Sequence, residues 1–171
     1  MAKGLSQCYN TRMETHEKFM SAALKEALKA YKLEECPIGC VIVKDGKIIS
    51  RAHNLRITHN SALSHAEILA IKKACKKLDS WRLEDCDMYV TLEPCTMCSG
   101  AIIQARIRKV YFGAYEPKGG AVVSCNNIFD KSHGHNHEVQ FEGGVLEKES
   151  STMLKQFFKE VRQNKKLKDR S

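Results

Sequence analysis

At 171 residues with 43% hydrophobic side chains, the chain is long enough for one domain with a sizeable core and too short for two ordinary ones. Lysine and arginine outnumber aspartate and glutamate by 28 to 20, for a net charge of +8; such a surface attracts polyanions without the composition of a disordered basic tail. The first twenty residues hold no sustained apolar run and no stretch could span a bilayer, so the expectation is a cytoplasmic protein, off the membrane, with reduced thiols.

Residues 1–12 lack apolar periodicity and read as an N-terminal extension, residues 13–166 as the single domain, and residues 167–171 as a basic tail. From Glu14 to Lys32, Met20, Leu24, Ala27, Leu28 and Tyr31 recur at helical spacing, which predicts an amphipathic helix ending near Cys36-Pro37. Two apolar, β-branched runs flank Asp45-Gly46, a dipeptide that tolerates positive φ at both positions, and predict an antiparallel hairpin.

After a loop over Asn54–Ser64, a helix from about His65 to Lys77 should turn Ile68, Ile71, Cys75 and Leu78 inward and Lys72, Lys73, Lys76 and Lys77 to solvent. Met88 to Leu92 reads as a buried strand, the "TMCSGAIIQARI" segment as a helix and Lys109 to Ala114 as a second strand. That βαβ unit pairs its strands in parallel, so the sheet is mixed. A loop, a histidine-rich turn, a short strand in "EVQFE" and a helix from Glu147 to about Lys166 complete the chain. Phe157 and Phe158 in that helix are both expected in the core, with Phe158 also a candidate to stack on a base.

Eight cysteines suggest crosslinks, yet in a reducing compartment Cys-x-x-Cys points to metal or redox chemistry. Cys95 and Cys98 therefore stand apart from Cys8, Cys36, Cys40, Cys75, Cys86 and Cys125, which read as small apolar or incidental thiols. His65, Cys95 and Cys98 offer three ligands, the count of a catalytic zinc site with one open position. Pro94 suits the opening of a helix, and thiolates there meet the positive end of its dipole.

His65 and Glu67 lie about 200° apart around an ideal helix, so they converge only beyond its end. If both helices aim their N-termini at one point, His65 and the cysteines hold a metal while Glu67 reaches a water. Zinc lowers the pKa of such a water from 15.7 to about 7, and a carboxylate beside it can carry protons to a ring nitrogen and a leaving amine. The chemistry that follows is hydrolytic deamination. His-x-Glu followed by Pro-Cys-x-x-Cys is the recognised signature of zinc nucleobase deaminases.

Beyond the motif, "CPIGCVIV", "HNLR", "HAEILAI", "YVTLEPCTMCSGAIIQARI", "VYFGA", "HNHEVQFEGGVL" and "LKQFFKEVRQ" resemble, in that order, the bacterial tRNA-specific adenosine deaminases. The resemblance implies a cytidine deaminase-like three-layer α/β/α sandwich with a mixed central sheet, a homodimer, and conversion of adenosine to inosine at the wobble position of a tRNA anticodon. It implies that His65, Cys95 and Cys98 hold one zinc per chain, that Glu67 is the proton shuttle and that Asn54 faces the target base. It also implies RNA contacts at Glu116 and His137. Ala62 stands where many members carry proline, Glu116 where aspartate is common, and His133-Gly134 where a His/Pro-Gly turn is usual.

Competing readings are a structural zinc closed by Cys36, Cys40 or a histidine of "HGHNH", and a second metal site at His133, His135 and His137, where a merely polar loop is favoured. Seven basic residues against two acidic ones from Lys155 to Ser171 favour a phosphate-contact surface over a solvated face, with Lys159, Arg162 and Lys166 as its leading members. Three function classes follow: an RNA-editing enzyme bound to an anticodon stem-loop, a deaminase of a free nucleobase or nucleotide of guanine or cytosine type, and a noncatalytic zinc-dependent RNA-binding module.

Overall fold

The computed structural model describes residues 2–168, with side chains over residues 14–167. The side chains of the expected extension, Cys8 among them, and residues 169–171 of the basic tail lie outside the described residues. In chain order the elements are α1 (Ala2–Lys32), β1 (Gly39–Lys44), β2 (Lys47–His53), α2 (Ala66–Leu78), β3 (Cys86–Leu92), α3 (Thr96–Gln104), β4 (Lys109–Ala114), β5 (Gln140–Gly143) and α4 (Glu147–Lys168). The α1 backbone is thus helical well before the expected start at Glu14.

The five strands run in the order β2-β1-β3-β4-β5. β1 pairs antiparallel with β2 and β3, while β3, β4 and β5 pair in parallel, so the sheet is mixed. Asp45 and Gly46 take φ of 48° and 68° and close the β1–β2 hairpin, as the tight turn requires. Period-two alternation then divides the core. Cys40 and Ile42 of β1, Met88 and Val90 of β3, and Val110 and Phe112 of β4 face α2 and α3. Val41, Val43, Tyr89 and Tyr111 face α1 on the other side. The result is an α/β/α sandwich.

Two helix faces differ from the periodicity reading for one reason, the closeness of helix and sheet. On α1 the buried line is Phe19, Met20, Ala23, Ala27 and Ala30, whereas Leu28 is exposed. Gly39 explains this: a Cβ there would collide with the Ala23 carbonyl and the Ala27 amide, so α1 lies almost on the β1 backbone and only small residues fit between. On α2, Ala66, Ala70 and Ala74 are buried while Ile68, Ile71, Cys75 and Leu78 are half-buried at the flanks. There Ser50 donates to the Ala70 carbonyl at 3.0 Å, tying sheet to helix. The α2 lysines are exposed as expected.

Phe157 and Phe158 separate. Phe157 is 8% exposed and meets Tyr31 edge-on, but Phe158 is 44% exposed, which corrects the expectation that both are core. Adjacent helical positions point about 100° apart, and α4 has only one neighbouring layer. Among the described residues no helix is long and apolar enough to cross a membrane.

Gly39→Ala should destabilise the fold by about 2 kcal/mol, the range for overpacking against unyielding backbone. Chemical denaturation checks this, and an unchanged midpoint would show that α1 can withdraw freely.

Candidate active site

The site forms where two helices begin. His65 is the residue that caps α2, with extended φ and ψ of −76° and 151°, and Cys95 caps α3 in the same way, at −75° and 172°. Glu67 and Cys98 then fall in the first turns of the two helices. Because His65 is extended and not helical, its ring escapes the 200° separation from Glu67. The preceding loop is pinned by Leu55 N–H to the Ser64 carbonyl at 3.0 Å, and Asn54 N–H reaches the Ile38 carbonyl at 3.0 Å.

The Nδ1 atom of His65 lies 3.8 Å from Cys95 Sγ and 3.5 Å from Cys98 Sγ. A tetrahedral ion with metal–sulfur bonds of about 2.3 Å and a metal–nitrogen bond near 2.0–2.1 Å needs nitrogen–sulfur edges of about 3.5 Å. The three residues fit zinc. They form a His/Cys/Cys cluster with no fourth Cys, His, Asp or Glu in it among the described residues, which argues against a closed structural shell. His133 and His135 are exposed with ring centroids 5.9 Å apart, and the "HGHNH" turn makes no metal cluster either.

Electrostatics divide the two thiols. The Cys98 thiol, the His65 ring and the Cys98 amide hold Cys95 down to about 4 against the burial that opposes it. The neighbouring Cys95 thiolate, with burial and Glu67, pushes Cys98 well above the usual thiol value. His65 is raised chiefly by its contact with Cys95. Burial likewise raises Glu67. A helix N-terminus contributes about 0.3–1 kcal/mol, up to ~2, against this, whereas full burial shifts a carboxyl by up to about 3–5 pKa units. Desolvation therefore wins. Glu67 is 4% exposed and its Oε2 has no hydrogen-bond partner within the chain, so one oxygen of a carboxyl with a raised pKa is left to exchange a proton with a bound molecule.

Asn54 is also buried. Its amide donates to Glu35 Oε2 at a long 3.5 Å, while its Oδ1 is unsatisfied. Asn54 Oδ1 and Glu67 Oε2 are thus two buried oxygens without a partner in the chain, and such oxygens call for a polar group from outside it. A cavity of about 790 Å³ is lined by Cys36, Leu92, Glu116, Lys155, Phe158 and Arg162, among others. Burial raises the Cys36 thiol to about 11, against the Arg56 charge that lowers it. Lys159 and Lys166 are exposed on α4 outside the lining. His137 instead binds the Ile107 carbonyl at 2.8 Å, before β4, at the end of that strand remote from the ligand cluster.

Sequence reasoning passed over two carboxylates. Glu35 is 1% exposed, accepts the Thr58 N–H at 2.7 Å and holds the Asn54 loop. Glu93 is 3% exposed and ties down the loop from Glu116 to Ser124. The available signal was an acidic residue at the apolar end of a buried strand, just before Pro94.

A three-ligand zinc site beside a buried carboxylate, at the carboxyl end of a strand in an α/β/α sandwich, defines a hydrolytic deaminase fold. The profile of the cytidine and deoxycytidylate deaminase zinc-binding region matches residues 13–114, and the chain belongs to that family. It is 49% identical over 154 residues to the tRNA-specific adenosine deaminase of Bacillus subtilis (strain 168), covering 90% of this chain and 95% of that one. A solved tRNA:A34 deaminase, from work on A-to-I editing at the wobble position, superposes with a TM-score of 0.77 at 46% identity, covering 80% of this chain and 99% of that one. The guanine deaminase of Nitrosomonas europaea shares the fold, with a TM-score of 0.72 over 82% of this chain and 83% of that one, at 21% identity. Zinc is the cofactor of this site.

Metal and protons compete for the thiols, so zinc affinity should fall as pH falls. With the paired thiols Cys95 and Cys98 holding one proton between them, zinc uptake by the metal-free chain at pH 8 should release about one proton per ion. Calorimetry in buffers of different ionisation enthalpy measures this. Release of none would contradict a proton held by the thiol pair.

Proposed function

We propose that this chain is a zinc-dependent hydrolase that converts adenosine to inosine at the wobble position of a tRNA anticodon, acting in the cytoplasm as a homodimer with residues 13–166 as its deaminase domain. The observation that carries the substrate reading is the cavity that exposed Phe158 and Arg162 from α4 line together with Glu116. That combination suits flanking nucleotides: an aromatic face for stacking and a cation for phosphate. The likeness to tRNA-specific adenosine deaminases supports the same reading.

Zinc held by His65, Cys95 and Cys98 supplies the Lewis acid that activates water. Glu67 carries the protons. Its carboxylate takes one from the attacking water and delivers it to N1 of adenine, which makes C6 electrophilic. After oxygen adds at C6, Glu67 moves the hydroxyl proton to the amine nitrogen, the C6–N bond breaks, and ammonia leaves as the carbonyl forms. Asn54, beside the base, offers its free Oδ1 or its amide to the purine edge. Lys159, Arg162 and Lys166 supply phosphate contacts along α4. His137 belongs to RNA bound farther from the reacting base. Exposed Ile57 and Leu63, on the loop leading to His65, offer an apolar surface suited to self-association.

An anticodon stem-loop should be deaminated efficiently, with little turnover of free adenosine, cytosine or guanine; comparable specificity constants for a free base would overturn the reading. Glu67→Ala should keep zinc and lose about 10²–10⁴ in rate. Phe158→Ala should weaken stem-loop binding by about 1–3 kcal/mol. Neutralising Lys159, Arg162 and Lys166 together should flatten the plot of log affinity against log salt by about two.

A further inference from the structure

Glu93 stands two residues before a zinc ligand but is not in the ligand cluster. Its carboxylate turns the other way. Oε1 accepts the N–H groups of Val122, Val123 and Ser124 at 3.2, 2.7 and 2.9 Å. Oε2 accepts the Glu116 N–H at 3.0 Å and the Ser124 hydroxyl at 2.5 Å. Three successive amides converging on one oxygen form an anion-binding nest, here filled from within the chain.

The tie reaches both ends of one loop. Ser124 and Glu116 are held by the same side chain, and between them the loop is laced to the segment that carries Cys95. Ala121 N–H donates to the Pro94 carbonyl at 2.9 Å, and Gly120 bridges to Cys95. Glycine is required at 120, since a Cβ there would collide with the Glu93 carboxylate and the Glu116 carbonyl. Glu93 is itself anchored by its N–H to the Ala114 carbonyl at 2.9 Å, which continues the β3–β4 ladder one step. On the far side of the loop, Glu116, Pro117 and Lys118 form a wall of the cavity that Phe158 and Arg162 complete.

We propose that Glu93 is a positioning residue: by clamping both ends of the Glu116–Ser124 loop to the Pro94–Cys95 segment, it fixes the cavity wall that receives the nucleotides flanking the reacting base. The clamp acts through backbone amides and not on the reacting atoms. The clamp stands on its hydrogen bonds, while the role given to the wall rests on the proposed RNA substrate.

Two variants test it, Glu93→Gln and the milder Ser124→Ala, each assayed for zinc content, kinetics on an anticodon stem-loop and hydrogen exchange of the loop amides. An amide side chain presents N–H groups to half of the nest, so Glu93→Gln should raise KM about tenfold with kcat within about threefold and zinc retained. Ser124→Ala, which removes one hydrogen bond, should raise KM about threefold. In both, the amides of residues 122–124 should exchange faster than in the parent chain. Unchanged KM and unchanged exchange in the two variants would overturn the proposal, as would an effect confined to melting temperature. If Glu93→Gln does not fold, Ser124→Ala still decides. Should the parent chain fail to deaminate the stem-loop, the substrate reading falls, while loop exchange continues to test the clamp.

Discussion

The structure depends on two helices beginning at one point. α2 and α3 are separate in sequence, yet their caps, His65 and Cys95, come within 3.8 Å of each other. Convergence brings unpaired N–H groups and positive dipole ends together, which favours anionic thiolate and carboxylate there. It also buries Glu67 deeply enough for desolvation to outweigh those dipoles. One arrangement therefore gathers a zinc-fitting ligand set and, beside it, a carboxyl whose burial raises its pKa.

That convergence is held by closeness elsewhere. Alanine faces on α1 and α2 let both helices lie near the sheet, and Gly39 removes the last obstacle on the α1 side. The carboxylates inside the site region do similar work at shorter range: Glu35 steadies the Asn54 loop and Glu93 the loop behind Cys95. Glu35 accepts one loop N–H, from Thr58, and Glu93 four, from Glu116 and Val122 to Ser124, so irregular segments become fixed walls.

Much of this was legible in the sequence. Asp45-Gly46 announced the hairpin, the βαβ pattern announced parallel β3 and β4, and His-x-Glu with Pro-Cys-x-x-Cys named the ligand set before any distance was known. What periodicity could not supply was depth. It counted Leu28, Ile68 and Ile71 as inward because they are large, but the close approach of helix and sheet gives the innermost line to alanine. It also could not divide Phe157 from Phe158, because which of two adjacent rings meets α1 depends on how α4 is rotated on the sheet. Glu93 escaped notice because its partners lie 23 to 31 residues downstream, in a loop whose path has no sequence signature.

The central claim is that three protein ligands leave one position open for the water that Glu67 serves. X-ray absorption at the zinc edge of the loaded protein tests it without reference to substrate. The account predicts two sulfur neighbours at about 2.3 Å, one imidazole nitrogen near 2.0–2.1 Å and one further oxygen. A third sulfur or a second imidazole in the remaining position would close the shell and contradict it.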